Sequence, residues 1–363
     1  MSIDMTKGRY MSNVKVLLIA ALPPPVGGDS TWSEKYIEYC NNFGYPISIV
    51  NTSVIGMRAQ NVEGASSVLE ELKRALGIWK NIWQEVSIFK PDIVHMNTNC
   101  SPKGIIRDYI SALILVMRRV PCIIHCHCNV QDQLGESKIG RYYFRKLIAK
   151  SQAIIVLNSA SQNYVNSNND KKAVIIPNFI DAEYIKNENK NVSKSINNIL
   201  FVGHIRKSKG IDEIIEVAKH YPQKAFILAG PITKEIDEMC VPSNVEMIGS
   251  QNPEQVKMLL DATDVFLFPS YTEGFAVSLL EAMARGLPCI ASNVGANKDM
   301  IEKEGGIIVP ARDTESIISA IRILENQNLR RDISKWNIQK VKANYTIDVV
   351  FDKLWKLYIQ GHK

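Results

Sequence analysis

Two short stretches hold most of the residues that could do chemistry. The first is PSYTEGFAVSLLEAMARGLPCIASNVG, residues 269–295. An apolar run ends at Pro269-Ser270, and a loop containing Gly274 follows. AVSLLEAMA then reads as a helix, stopped at Gly286 with Pro288 just beyond. Main-chain N–H groups around Gly274, Phe275, Ala276 and Val277 would stand unpaired at that helix start. The helix dipole favours an anion there, so the feature suits a phosphate. Glu273 lies in the loop and Glu281 about one turn inside the helix. Two carboxylates would repel a phosphate, and they make sense if the ligand also carries hydroxyls. A carboxylate accepts two hydrogen bonds from a vicinal diol such as that of a ribose or hexose. A Glu-x7-Glu pair alone is more often two solvated charges, and its weight comes from the elements around it.

The second stretch is CIIHCHCN, residues 122–129. On a strand, His125 and His127 share one face and Cys122, Cys126 and Cys128 the other. Metal ligands must converge, and structural zinc sites usually space cysteines as Cys-x2-Cys, so the alternation opposes a metal site. Cys40, Cys100, Cys240 and Cys289 are dispersed and complete no second pair. The stretch reads as a buried strand with His127 at its end. His95, closing DIVHMN, is a second strand-end histidine.

These residues must be positioned by elements, and the chain is rich in them. Strand-like apolar runs fall at 15–22, 46–51, 92–97, 121–126, 153–158 and 173–178. A second set falls at 198–203, 224–230, 245–249, 264–270, 288–293 and 306–310. Helical stretches such as 66–89 separate them. Continuous apolar strands alternating with helices specify parallel sheets covered on both faces. The polar, Asn-rich segment 181–198 reads as a linker, so two doubly wound α/β domains are expected. Ligands should bind where the strands' carboxyl ends meet a cleft between the two halves. The 363-residue length agrees with two domains.

Net charge is +6, which favours anionic partners. The odd count of seven scattered cysteines and the lack of a cleavable leader around KVLLIAAL point to a reducing cytosol. The run ISALILVM at 110–117 is far shorter than the ~20 residues of a membrane-spanning helix. No Gly-x-Gly-x-x-Gly follows the first strand, which opposes a dinucleotide oxidoreductase. No helix-turn-helix, zinc finger or aromatic platform suggests nucleic-acid binding.

Several stretches in order resemble the retaining glycosyltransferases of family 4, which have the GT-B fold. EGFAVSLLE is similar to the family's Glu-x7-Glu motif, and PPPVGG at 23–28 to its N-terminal Gly-rich loop, which places Gly27 and Gly28 in the donor site. FVGHIRKSKG at 201–210 is similar to its Gly-Arg-…-Lys-Gly element, and IPNFID at 176–181 to its Ile-Pro-Asn-Gly-Val-Asp turn. His204 stands where the family usually has Arg, Phe179 where it usually has Gly, and Cys128 where a Gly usually follows the histidine.

The resemblance implies two Rossmann-like domains: an acceptor domain over 1–180, joined by a helix 346–363 crossing back, and a nucleotide-sugar domain over 181–345. It implies that Glu281 binds ribose hydroxyls and Glu273 the transferred sugar. Lys209 and Arg206 would neutralise the diphosphate, and His127 would face the donor sugar or the acceptor hydroxyl. We expect the base to rest on main-chain groups near Gly249 and Ser250. The implied reaction is retaining transfer from a UDP- or GDP-sugar to a lipid-linked or saccharide acceptor in surface polysaccharide synthesis. No cofactor or metal is expected, since cationic side chains would carry the leaving group and no Asp-x-Asp pair is present. Arg118-Arg119 and RYYFRKLIAK at 141–150 suit an anionic membrane surface, so a cytoplasmic, peripheral protein is expected. The alternatives are a nucleotide-sugar epimerase on the same fold, or a non-catalytic protein that binds nucleotides or a basic-patch partner.

Overall fold

The computed structural model describes residues 14–24, 27–53, 68–186, 191–237 and 239–362. Contacts divide the chain into two units, 1–177 with 351–363, and 178–350. Pro25 and Val26 of the PPPVGG stretch lie outside the described residues.

The first unit holds strands β1 (Val16–Ala20), β2 (Ile47–Asn51), β3 (Ile93–Thr98), β4 (Cys122–Cys126), β5 (Ala153–Val156) and β6 (Ala173–Ile175). They form one parallel sheet in the order β2-β1-β3-β4-β5-β6. Its helices are α1 (Gly28–Asn42), α2 (Val68–Phe89), α3 (Pro102–Met117), α4 (Val130–Leu134), α5 (Lys138–Lys150) and α6 (Ser159–Asn168). Every residue of β1, β3 and β4 is buried, as expected of strands covered on both faces. The helix starts follow from local chemistry. Ser101 Oγ accepts from Gly104 N at 3.3 Å, and Pro102 needs no donor partner at the first helical position.

The second unit repeats the plan. Strands β7 (Asn198–Val202), β8 (Ala225–Ala229), β9 (Val245–Gly249), β10 (Val265–Phe268), β11 (Cys289–Ser292) and β12 (Gly306–Val309) form a parallel sheet ordered β12-β11-β10-β7-β8-β9. The helices are α7 (Ile211–His220), α8 (Lys234–Asp237), α9 (Pro253–Ala262), α10 (Val277–Ala284), α11 (Asn297–Ile301), α12 (Thr314–Leu324) and α13 (Gln327–Asn344). The last helix, α14 (Ile347–His362), begins in this unit, and its residues from Phe351 onward pack in the first. There Phe351 lies 4.5 Å from the Tyr39 ring and Trp355 4.5 Å from Tyr45, while the Tyr358 hydroxyl meets that of Tyr36 at 3.0 Å.

Among the described residues each of the twelve strands expected from apolar runs is found, within three residues at either end. Both sheets reverse winding direction once, between β1 and β3 and between β7 and β10. At such switch points the connections leave on opposite faces and a crevice opens beyond the strands' carboxyl ends.

Candidate active site

In the second unit the crevice beyond β7 and β10 gathers most of the residues singled out by sequence. After β7 the chain runs through Gly203, His204 and Arg206 into a single 3-10 turn, Lys207–Lys209. Gly210 then enters α7 with φ +76°, and a Cβ there would collide with the Pro269 carbonyl at the end of β10. Only glycine allows both the left-handed backbone and this approach. Tyr271 N donates to Ser208 O at 3.0 Å and ties the two loops together. Lys209 Nζ thereby donates to Glu273 Oε1, with both side chains mostly buried. Ser270 Oγ donates to the same Glu273 oxygen at 2.7 Å.

The loop of Glu273 and Gly274 is held from behind. Ala296 N donates to Gly274 O at 3.1 Å, and Gly295, at φ +52°, has no room for a Cβ against Glu273 O. Phe275 is buried with its ring 5.9 Å from Tyr345. Ala276 is the N-cap of α10, and no side chain caps that helix. Glu281 lies one turn into α10, half-buried, and its carboxyl makes no hydrogen bond or ion pair among the described residues. Burial pushes its carboxyl from 4.5 up to about 7. It is close enough to Tyr184 to raise that phenol, although burial is the larger cause.

Arg206 and His204 are exposed on the β7 side. Partial desolvation of the imidazole first, then the charges of Arg206 and Lys209, hold His204 below the usual histidine range. Gly249 and Ser250 close β9, where Gly249 O accepts from Gly230 N at 2.8 Å. These groups share one edge of the sheet in the order β10-β7-β8-β9.

Gly27 and Gly28 lie in the first unit at the start of α1, where Gly27 N donates to Ser30 Oγ at 2.9 Å. His127 also belongs to the first unit, just past β4, with its main-chain N donating to Thr98 O at 2.9 Å. His125 and His127 do share a face, their rings 3.9 Å apart. His95 joins them: its Nε2 meets His125 Nδ1 at 3.1 Å, and its Nδ1 meets the Tyr358 hydroxyl. Both ring nitrogens of His127 are buried without a partner. Burial holds His95 and His127 at about 3, so both are neutral.

Cys100, taken from sequence as dispersed, instead adjoins Cys126 and Cys128, linked by thiol hydrogen bonds. The Cys100 hydrogen bond and burial hold the Cys126 thiol well above its ordinary range. Among the described residues no group of three or more His, Cys, Asp or Glu is arranged to hold a metal ion. Ser270, Gly295 and Tyr184 escaped the sequence reading. Only Ser270 carried a signal, as the hydroxyl three residues before Glu273.

Two units, each a six-stranded parallel sheet with helices between its strands, match the GT-B architecture, and the comparisons with known proteins bear on the family. The family described as Glycosyl transferases group 1 matches residues 181–340, and Glycosyltransferase Family 4 matches residues 54–184. The chain is a GT-B-fold glycosyltransferase related to these families.

Among curated proteins it is 26% identical over 328 residues to the UDP-Gal:alpha-D-GlcNAc-diphosphoundecaprenol alpha-1,3-galactosyltransferase of Escherichia coli, covering 81% of this chain and 80% of the other. Among solved structures it is similar to the sucrose-phosphate synthase of Thermosynechococcus elongatus, with TM-score 0.77, 17% identity and coverage of 96% and 99%. It is also similar to Anabaena HepE in complex with UDP-glucose, with TM-score 0.72, 15% identity and coverage of 96% and 100%. These structural likenesses concern the fold.

Proposed function

We propose that the chain transfers a sugar, with retention of configuration, from a nucleotide-sugar to a hydroxyl of a lipid-linked or saccharide acceptor in surface glycan synthesis. The observation that carries this is the Lys209–Glu273 pair at the switch point between β7 and β10. In the ligand-free site each charge neutralises the other. An arriving diphosphate competes for Lys209 and releases the Glu273 carboxylate to accept hydrogen bonds from the donor sugar. Arg206 adds a second cation, and the uncapped N-terminus of α10 supplies main-chain donors. Glu281 takes the ribose hydroxyls, and main-chain groups at Gly249 and Ser250 hold the base.

As the glycosidic C–O bond breaks, negative charge grows on the diphosphate and each of these contacts strengthens. That difference between ground and transition state is what lowers the barrier. We read the step as front-face displacement, without a carboxylate nucleophile. The departing phosphate oxygen takes the proton of the incoming hydroxyl. Cations do the leaving group's work, and the reading needs no metal. Gly27, Gly28 and His127 belong to the acceptor-side unit, where His127 offers an unpartnered imidazole to a sugar hydroxyl.

UDP is the first nucleotide to test, given the UDP-sugars named for the E. coli relative and for HepE. We place the protein on the cytoplasmic face of a membrane, held by the basic residues of α5 and Arg118-Arg119. Among the described residues no helix is long and apolar enough to cross one. The test is thermal stabilisation by UDP, GDP, ADP and NAD, followed by donor turnover in Glu273→Ala. Stabilisation by one nucleoside diphosphate and not by NAD, with turnover lost in the variant, is expected. Unchanged turnover in Glu273→Ala would remove the assignment.

A further inference from the structure

The loop that carries Glu273 is tied down on both flanks. Toward β11, Ser292 Oγ donates to Ser270 O, and Ala296 N donates to Gly274 O at 3.1 Å. Toward β7 and α7, one tie is the Lys209–Glu273 pair itself. Tyr271 makes two more. Its main-chain N donates to Ser208 O at 3.0 Å, inside the turn that presents Lys209. Its hydroxyl lies 2.9 and 2.8 Å from the two carboxylate oxygens of Glu213, in the first turn of α7.

Glu213 is 8% exposed. A carboxylate taken out of water is costly unless hydrogen bonds answer it, and the Tyr271 phenol shares its proton between both oxygens. The N-terminal end of α7 also favours the negative charge. Partial burial first, then the hydrogen bond to Glu213, push the phenol up to about 12, so it stays a donor. On the ring face, the Arg312 guanidinium lies 4.4 Å from the centroid, a cation–π contact. Arg312 stands just beyond β12 at φ +64°, a left-handed backbone that residues with side chains seldom adopt. Tyr271 is thus gripped at its hydroxyl and on its ring by residues of two other segments.

This grip matters most when a ligand arrives. A diphosphate that takes Lys209 opens the Lys209–Glu273 pair, and the loop loses that tie to the α7 side. The bonds of Tyr271 use neither Lys209 Nζ nor the Glu273 carboxylate, so they survive the opening.

We propose that Tyr271, braced by Glu213 and Arg312, is a positioning residue: it keeps the Lys209 turn and the Glu273 loop in register after the ligand has separated their charges. This rests on the transferase reading and adds a residue to the working parts of that site.

The test is calorimetric titration of the full chain with UDP, GDP and ADP, with urea denaturation followed on every variant. For the nucleotide that binds, Y271F should raise Kd about tenfold, the low end of what one hydrogen bond to a charged group is worth. E213Q, whose amide oxygen still accepts from the phenol, should stay within roughly threefold of wild type. Y271F alone leaves Glu213 buried without a donor and so also lowers stability. Y271F/E213M removes both polar partners, and its urea midpoint should return toward wild type while the weakened binding persists. A purely structural role predicts that affinity recovers together with stability, and that result overturns the proposal. Added to K209A, Y271F should change Kd by less than about threefold, because Tyr271 acts through that lysine. A further loss of about tenfold in the K209A background overturns the proposal as well. Wild-type affinity in Y271F removes this inference alone, whereas wild-type protein that binds none of the three nucleotides removes the transferase reading beneath it.

Discussion

Glu281 gives the sharpest test of the donor site, because its protonation state at neutral pH is set by what binds it. Its carboxyl titrates near 7 in the empty protein, raised from 4.5 by burial alone. A ribose diol donates its two hydrogen bonds best to the ionised form, whose two oxygens both accept, so binding should pull the carboxyl back toward its ordinary range. With a value of about 7, the ionised fraction falls about tenfold between pH 8 and pH 6. The ribose contact should therefore weaken by about tenfold, or ~1.4 kcal/mol, over that interval.

The diphosphate titrates in the same range, so the measurement is a comparison. UDP and 2′,3′-dideoxyuridine diphosphate share the phosphates and differ in the diol. The ratio of their dissociation constants should drop about tenfold from pH 8 to pH 6 in the wild type. In Glu281→Gln it should be small and flat. A ratio independent of pH in the wild type, with both nucleotides bound, would refute the ribose assignment. The same shift carries a stability sign. Native Glu281 holds its proton to higher pH than the unfolded chain does, so the empty protein loses stability as pH rises from 4.5 through 7. The loss levels off above that at about 3 kcal/mol. Glu281→Gln should remove this slope in urea denaturation followed across pH.

Other expectations follow from single contacts. Lys209→Ala removes the diphosphate cation and should lower kcat/KM for donor turnover by roughly 10- to 150-fold, the worth of one charge-assisted hydrogen bond. A change under threefold would remove Lys209 from the site. Gly210→Ala combines a left-handed backbone with a collision against Pro269, and should cost over ~2 kcal/mol in urea denaturation. Trp355→Ala empties a fully buried site beside Tyr45, Phe351 and Tyr358, and should cost about 3–5 kcal/mol by the same measurement.

The fold was legible because parallel strands buried on both faces must be apolar throughout, so β1, β4 and β10 announce themselves as runs. The helix start at Val277 and its stop at Gly286 were legible from local chemistry for the same kind of reason. What the sequence concealed are encounters between distant residues. Lys209 and Glu273 are 64 positions apart, and nothing local says that their side chains touch. Gly295 looks like any turn glycine until the Glu273 carbonyl is seen behind it. Cys100 seemed isolated because its partners Cys126 and Cys128 sit on a neighbouring strand end.

Because α14 returns to the first sheet, that unit is discontinuous in the chain. A ribosome releases residues 351–363 only after the whole intervening unit has been made. Until then the aromatic rings of Tyr36, Tyr39 and Tyr45 lack the covering that Phe351, Trp355 and Tyr358 provide. A fragment cut at Pro177 should be sticky and poorly folded, whereas residues 178–350 hold a complete sheet of their own. Anyone dissecting the protein should therefore isolate the second half, and should reach the first only by splicing the last helix back on.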